Sequence, residues 1–157
     1  MSAPTEKFSV HDEPAWRERA NFIVNAALPE QERYEQLWCR QVSDDTFEVC
    51  CIPFFLYDVA LGDLVQTAPQ AEREYVVAGV LRRSGRYVFR VYFAGPMLGH
   101  RESAVGHLTT MGSLLEWSSA SLLAVDARDA THAQEIATYL MERESQGHLV
   151  YETGRSA

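Results

Sequence analysis

The order of predicted elements over residues 86–152 constrains this fold more than any other feature of the sequence. A strand-like run is followed by a helix-like run, two short strand-like runs, an amphipathic helix and a last strand, with almost no spare loop. This order, βαββαβ, is typical of a ferredoxin-like half in which two helices cover one side of a four-stranded sheet. Because that architecture hosts many unrelated functions, the order predicts a fold and no reaction.

The second helix of this region has the clearest periodicity. Apolar residues recur at i, i+3, i+4, i+7 and i+8, which predicts one buried stripe consisting of Ala133, Ile136, Ala137, Leu140 and Met141. Thr131 and Gln134 match a capping box, and Asp129 is a second candidate cap. The first helix is predicted over residues 100–111.

The amino-terminal half contains strand patterns joined by turn residues. Residues 20–28 are predicted to be a strand, and residues 34–42 and 46–52 form a hairpin across Ser43, Asp44 and Asp45. A turn centred on the two aspartates places Cys39 opposite Cys50. Both faces of this pair carry apolar residues, so we expect a small, strongly bent antiparallel sheet or barrel.

Two further strands complete the predicted half. Residues 60–67 turn at Gly62-Asp63 into a strand, and residues 68–74 are predicted to be a polar loop. Residues 75–83 are predicted to be a strand that a Ser84-Gly85 turn joins to the next strand as a hairpin. Gly85 is expected to adopt a positive φ angle in that turn.

These patterns together predict an α+β protein. Its small bent antiparallel β-sheet or barrel is joined to a ferredoxin-like βαββαβ carboxyl-terminal half. We divide the chain into a flexible arm over 1–18, an antiparallel β subdomain over 19–82, a βαββαβ subdomain over 83–153 and a tail over 154–157.

Composition and charge restrict the class of function. The chain is 46% hydrophobic and 23% charged, which is typical of a globular protein, and its formal net charge is −8. A phosphate backbone would be repelled, so nucleic acid is not an expected partner, whereas a basic protein would be attracted. The sequence has neither a long apolar run nor a signal-like start, and its three cysteines form no disulfide framework. We therefore expect a cytoplasmic protein without a membrane partner.

The reactive side chains show no catalytic spacing. Cys50 and Cys51 point to opposite faces of a strand and are expected to be packed, since no histidine is predicted near them. His100 and His107 are seven residues apart and lack the zinc-protease pattern, so a solvated or capping role is expected. The sequence predicts no catalytic residue, no metal and no cofactor.

An aromatic loop offers the best candidate for a binding surface. Phe54, Phe55 and Tyr57 follow Pro53, and aromatic residues beside acidic ones are typical of protein interfaces. The alternative is that one phenylalanine closes the open end of the barrel. The predicted partner-binding residues are Phe55, Tyr57, Asp58, Glu72 and Glu74.

Four short motifs resemble a bacterial family of uncharacterised domains, DUF4265. They are Leu37-Trp38, IPFF at 52–55, GDLV at 62–65 and Ser84-Gly85, and the resemblance covers roughly residues 20–125. The family implies no catalytic assignment. Small acidic proteins of such families are often immunity proteins, which is an association only.

We expect a non-enzymatic protein-binding module, most concretely an immunity protein that binds and occludes a basic toxin domain. Its acidic, aromatic surface would cover the cationic site of the toxin. The alternative is a small-ligand-binding or enzymatic domain with a pocket between the two halves. A third interpretation is a regulatory module that forms a homodimer.

Overall fold

The computed structural model describes residues 7–28 and 33–155, which contain two helices and two β-sheets. The strands and helices are, in chain order, β1 (Lys7–Ser9), β2 (Phe22–Leu28), β3 (Arg33–Ser43), β4 (Thr46–Val49), β5 (Leu64–Gln70), β6 (Arg73–Arg82), β7 (Tyr87–Tyr92), α1 (Arg101–Thr110), β8 (Leu114–Trp117), β9 (Leu122–Ala127), α2 (Ala130–Ser145) and β10 (Val150–Thr153). Short 3₁₀ turns occupy Arg17–Arg19 and Gly95–His100. Neither helix is long and apolar enough to cross a bilayer.

The first sheet is barrel-like. Strand β3 pairs with β2 along one edge and with β4 along the other, so β2, β3, β4, β5 and β6 follow one another around a closed ring. Its interior is apolar and is filled by Val24, Ala26, Leu37, Cys39, Phe47, Val49 and Val65, among others. The predicted barrel is therefore present. It is not wholly antiparallel, because β1 joins β3 and β6 joins β2 in parallel pairings between strands that are not consecutive in the chain.

The second sheet has the strand order β10-β7-β9-β8, and every neighbouring pair is antiparallel. Both helices pack on one face of it, where Phe89, Val91, Leu123 and Val125 from the strands meet Ala104, Leu108, Ile136 and Leu140 from the helices. On the opposite face, Val88, Ala124 and Leu114 pack against Ile52, Phe54 and Leu61 from the segment between β4 and β5. The segment between β4 and β5 therefore fills the space between the two sheets.

The β3–β4 hairpin contains a β-bulge, and its register therefore differs from the predicted register. Ser43 pairs with Thr46 as the turn requires, but the register shifts between Gln41 and Ser43. Beyond this shift Cys39 faces Val49 rather than Cys50. The extra residue of a β-bulge cannot be read from the turn sequence, and it displaces every later pair by one position.

The connection between β6 and β7 also differs from the prediction. Although the turn contains Ser84 and Gly85, with φ +88° at Gly85, the two strands belong to different sheets and do not form a hairpin. Residues 68–70, predicted to be loop, continue β5. The hairpin turn between β5 and β6 lies instead at residues 71–72.

The stripe of α2 is rotated slightly from the prediction. Ile136 and Leu140 are buried as expected, but Tyr139 is buried and Met141 is 59% exposed. Asp129, and not Thr131, caps the helix by accepting a hydrogen bond from the His132 backbone N–H at 2.8 Å.

The arm predicted to be flexible is packed from residue 7 onward. Strand β1 pairs with β3, His11 is buried, and the Trp16 backbone N–H donates to the Cys50 carbonyl oxygen at 3.0 Å. At the other end, Gly154 is bonded to Val88 rather than frayed. Residues 1–6 and 156–157 lie outside the described part of the chain.

Two glycines with similar backbone angles provide a test of the packing between the sheets. Gly62 (φ +83°) and Gly85 (φ +88°) both lie in the left-handed region, but a Cβ at Gly62 would lie 3.0 Å from Ser84 Cβ, whereas a Cβ at Gly85 meets no atom within 4 Å. Gly85→Ala should lower the free energy of unfolding by about 1–2 kcal/mol. Gly62→Ala should cost about 1–3 kcal/mol more. Equal losses in urea denaturation would contradict the packing described.

Candidate functional site

A buried histidine joins the amino-terminal arm, the barrel and the second sheet. His11 in the arm is 3% exposed, and its ring lies between Glu35 of β3 and Glu116 of β8. The ring Nε2 lies 2.7 Å from Glu35 Oε2, and Nδ1 lies 2.8 Å from Glu116 Oε1. The Phe54 ring stacks on the imidazole with centroids 4.0 Å apart. We call His11, Glu35 and Glu116 the carboxylate–imidazole cluster.

Glu35 fixes the loop that follows β4. Its side chain is fully buried, and its two carboxylate oxygens accept hydrogen bonds from the backbone N–H groups of Phe54, Phe55 and Leu56 at 2.7–2.9 Å. These amides lie outside any strand, so the carboxylate satisfies donors that the barrel leaves unpaired. Loss of the carboxylate would leave three amides without this acceptor.

Glu116 of the second sheet likewise accepts hydrogen bonds from backbone N–H groups outside the strands. Its Oε2 accepts hydrogen bonds from the backbone N–H groups of Ala15 at 3.1 Å and Ile52 at 2.5 Å. One side chain of β8 therefore holds the arm and the segment after β4 at the same time.

The charge on His11 follows from these neighbours. Burial opposes a positive charge on the ring, but the contacts with Cys51, Glu116 and Glu35 outweigh burial and raise the pKa of His11 from 6.5 to about 12. Burial raises the pKa of Cys51 as well, while the charge and hydrogen bond of His11 act in the opposite direction. Burial opposes the charge on Glu35 as well, yet the hydrogen bonds and charge of His11 lower its pKa.

The cluster corrects one expectation about the cysteines. No histidine was expected near them, yet His11 lies close enough to Cys51 for each to change the pKa of the other. A general base needs a free ring nitrogen, and both nitrogens of His11 face carboxylates. Cys39, Cys50 and Cys51 are all buried, as expected for packing cysteines.

A second buried cation supports the same loop. Arg90 of β7 is almost fully buried; its guanidinium donates to the Leu56 carbonyl oxygen and lies 4.5 Å above the Tyr57 ring. The Tyr57 hydroxyl donates to Glu152 of β10 at 2.7 Å. Loop 52–58 is thus held from the barrel side by Glu35 and from the sheet side by Glu116 and Arg90.

The predicted aromatic residues of this loop divide between core and surface. Phe54 is buried against His11, as in the alternative that a phenylalanine closes the barrel end. Phe55 is half-buried beneath the guanidinium of Arg33, at 5.3 Å, and Tyr57 is 44% exposed. Asp58 has φ +66°, and its backbone N–H donates to the Gly154 carbonyl oxygen at 2.8 Å.

The predicted acidic pair borders the same end of the barrel. Glu72 and Glu74 are exposed and flank Arg73, whose guanidinium lies 4.4 Å from the Tyr34 ring and 5.1 Å from the Phe8 ring. Tyr34 follows Arg33, the residue that covers Phe55, and neighbouring strand residues point to opposite faces, so the two predicted groups flank the start of β3. We call these side chains together, Phe8, Arg33, Tyr34, Phe55, Tyr57 and Arg73, the barrel-end face.

Two concave regions differ strongly in size. The cavity between the halves, lined in part by Asp58, Val88 and Gly154, measures about 10 Å³, which is room for one water. An open groove of about 680 Å³ lies instead beside β8, where Trp117 faces Leu98, Glu102 and Val105. The sequence had not marked Trp117 as a surface residue.

The carboxylate–imidazole cluster was not predicted from the sequence, because its members are far apart in the chain. The available signal was a glutamate inside each of two apolar strand patterns, Glu35 in β3 and Glu116 in the sequence LLEW. A charge at an inward strand position needs a buried partner. Nothing in the local sequence identifies His11 as that partner.

This chain is similar to a family of domains and to a solved structure. The family model described as a domain of unknown function (DUF4265) matches residues 35–151. The chain belongs to this family. A search of curated proteins found no match. The fold is similar to that of a hypothetical protein from Neisseria gonorrhoeae, with a TM-score of 0.69 and 14% identity over 86% of this chain and 96% of that one. At this identity the likeness concerns the fold alone.

The charge state of His11 predicts how stability changes with pH in this DUF4265 protein. A raised pKa contributes stability that is fully present below the unfolded value of about 6.5 and is lost as pH rises toward 12. Urea denaturation should therefore show a lower free energy of unfolding at pH 9 than at pH 6.5. His11→Gln should remove most of this decline and cost about 3–5 kcal/mol at pH 6.5, because two buried carboxylates lose their cation.

His107→Gln is the matched control, since His107 is exposed on α1 and stacks only on Tyr139 within the described contacts of its ring. It should leave the decline intact. A His11→Gln protein with the same pH dependence as the wild type would contradict the assignment.

Proposed function

We propose that this chain is a non-enzymatic protein-binding module, most concretely an immunity protein that binds and occludes a basic toxin domain. The observation that carries the proposal is the contrast between its two polar constellations. The carboxylate–imidazole cluster is buried and holds the loop, whereas the side chains of the barrel-end face are half-buried or, at Tyr57, exposed.

The composition of the barrel-end face supports a protein partner. Tyrosine and arginine are the residue types that most often dominate binding energy at protein interfaces. The side chains are also ordered before binding: Arg73 stacks on Tyr34, Arg90 stacks on Tyr57, and Tyr57 is bonded to Glu152. A pre-organised surface loses less conformational entropy when a partner docks.

Charge supports a basic partner. The net charge is −8, and the exposed Glu72 and Glu74 flank Arg73, so the two carboxylates offset the charge of the two arginines in the barrel-end face. Long-range attraction of this kind mainly speeds association and is screened by salt.

The alternative of a small-ligand site or an enzyme between the halves has less support. The cavity at that position has a volume of about 10 Å³, far below the several hundred Å³ typical of ligand pockets. The imidazole nearest to a thiol has both nitrogens against carboxylates.

We further propose that the carboxyl-terminal half is ferredoxin-like and that the protein acts in the cytoplasm. The strand order β10-β7-β9-β8, with both helices on one face, supports the first. Three free, buried cysteines are consistent with a reducing compartment and support the second. A homodimer stays an alternative use of the same exposed surfaces.

The partner experiment first screens the genes that flank this one for a basic domain whose expression stops cell growth, and the absence of such a domain would contradict the immunity role. Co-expression should restore growth of cells that carry the toxin domain, and the purified proteins should form a tight complex. The association rate should fall about tenfold between 50 and 300 mM NaCl. Failure to protect the cells would contradict the immunity role, and a salt-independent rate would contradict its electrostatic part.

Substitutions locate the surface. Tyr57→Ala and Arg73→Ala should each weaken the complex by about tenfold or more, in the range typical of interface hot spots. Leu81→Ala is the control, because Leu81 is exposed near the opposite end of β6 from Arg73. Binding that survives both barrel-end substitutions and is lost in Leu81→Ala would place the interface elsewhere.

A further inference from the structure

A small cavity lies between the start of α1 and the end of α2, on the helix side of the second sheet. Its volume is about 40 Å³, several times the space that one water needs. The polar side chains that line it are His100, Ser103, Tyr139, Arg143 and His148, and none of the lining residues is acidic. Arg143 thus gives the lining a positive charge in a protein whose net charge is −8, and each imidazole that takes up a proton adds to it.

The two histidines are in face-to-face contact. The His100 and His148 rings stack with centroids 3.8 Å apart and planes inclined by 12°. The two rings come from segments 48 residues apart, since His100 precedes α1 and His148 follows α2. Partial burial lowers the pKa of His148, and the neighbouring His100 and Arg143 lower it further, so an anion beside the ring would favour its protonated form.

Arg143 supplies an unused donor to the same place. Its Nε is buried and has no hydrogen-bond partner within the described residues, while one terminal nitrogen donates to Gln146 at 3.0 Å. The guanidinium lies 5.3 Å from the Tyr139 ring. Among the described residues Glu144 forms no ion pair with Arg143, and its carboxylate accepts from the Tyr151 backbone N–H. A buried donor without an acceptor calls for a ligand or a water.

Part of this cluster has a simpler role, and that role leaves the cavity unexplained. Arg143 and His148 stand at the carboxyl end of α2, where cations complement the helix dipole, and the His148 backbone N–H donates to the Arg143 carbonyl oxygen. Helix capping needs neither the stacked second imidazole nor the enclosed space beside Ser103.

We propose that this cavity binds a small oxyanion group, a phosphate or a carboxylate, held by Arg143, His100 and His148. The guanidinium provides charge-assisted hydrogen bonds, and an imidazole that takes up a proton provides a further one. The Ser103 and Tyr139 hydroxyls can donate to the remaining oxygens. The site is on the opposite side of the second sheet from the segment between β4 and β5, so it does not depend on the proposed protein-binding role.

The test follows the histidine ring signals of the full ¹⁵N-labelled chain by NMR during addition of inorganic phosphate, with sodium acetate as the carboxylate arm. Sodium chloride at equal ionic strength is the reference titration. Saturable shifts of the His100 and His148 signals, absent with chloride, are expected, together with a rise in the pKa of His148 on saturation. Saturation by phosphate alone assigns a phosphate site, and saturation by acetate alone assigns a carboxylate site.

Arg143→Gln should weaken anion binding at least tenfold, and Arg143→Lys should retain part of it. Arg40→Gln is the matched control, since Arg40 lies on the barrel and pairs with Glu48. If Arg143→Gln does not fold, as judged by circular dichroism, His148→Gln replaces it. Ring shifts that follow chloride equally, or that persist unchanged in the Arg143 and His148 variants, would overturn the proposal.

Discussion

A positively charged His11 held between two buried carboxylates is the interaction on which the arrangement of this protein depends. Glu35 belongs to the barrel, Glu116 to the second sheet, and His11 to the arm, so one imidazolium connects the three parts. Without the positive charge, two carboxylates would face each other in an apolar environment, which is strongly unfavourable. The cluster therefore couples the position of the arm to the packing of both sheets.

The same carboxylates also accept hydrogen bonds from backbone N–H groups that no strand pairs. The segment after β4 runs between the sheets without strand partners, and its amides at residues 52 and 54–56 donate to Glu116 and Glu35. An apolar replacement of the cluster would leave these amides unsatisfied, so burial of charge is here tied to backbone satisfaction. The loop geometry in turn sets where Phe55 and Tyr57 reach the surface. In this way a constellation of buried side chains shapes the proposed binding face.

Much of the fold could be predicted because its signals are local. The apolar period of α2, the short strands predicted at 114–117 and 121–127, and the final strand follow from spacing and turn residues, and the structure has them within two residues at most boundaries. The departures have non-local causes. The bulge near Val42 moved Cys39 from Cys50 to Val49, and the chain crosses between sheets at Ser84-Gly85 where a hairpin was expected.

The candidate sites were harder to predict for the same reason. His11 and Glu116 are 105 residues apart, and His100 and His148 meet only because the two helices pack side by side. Such pairs are set by tertiary packing and leave no pattern in a single sequence. Glu35 and Glu116 were visible as charges in apolar strands, yet their shared partner was not.

The protonation state of His11 tests most directly whether a charged imidazole joins the arm to the two sheets. Long-range ¹H–¹⁵N NMR of the imidazole reports separately whether each ring nitrogen carries a proton. At pH 8.5, two units above the ordinary histidine pKa of about 6.5, both nitrogens of His11 should remain protonated. A neutral ring with one bare nitrogen at that pH would contradict it.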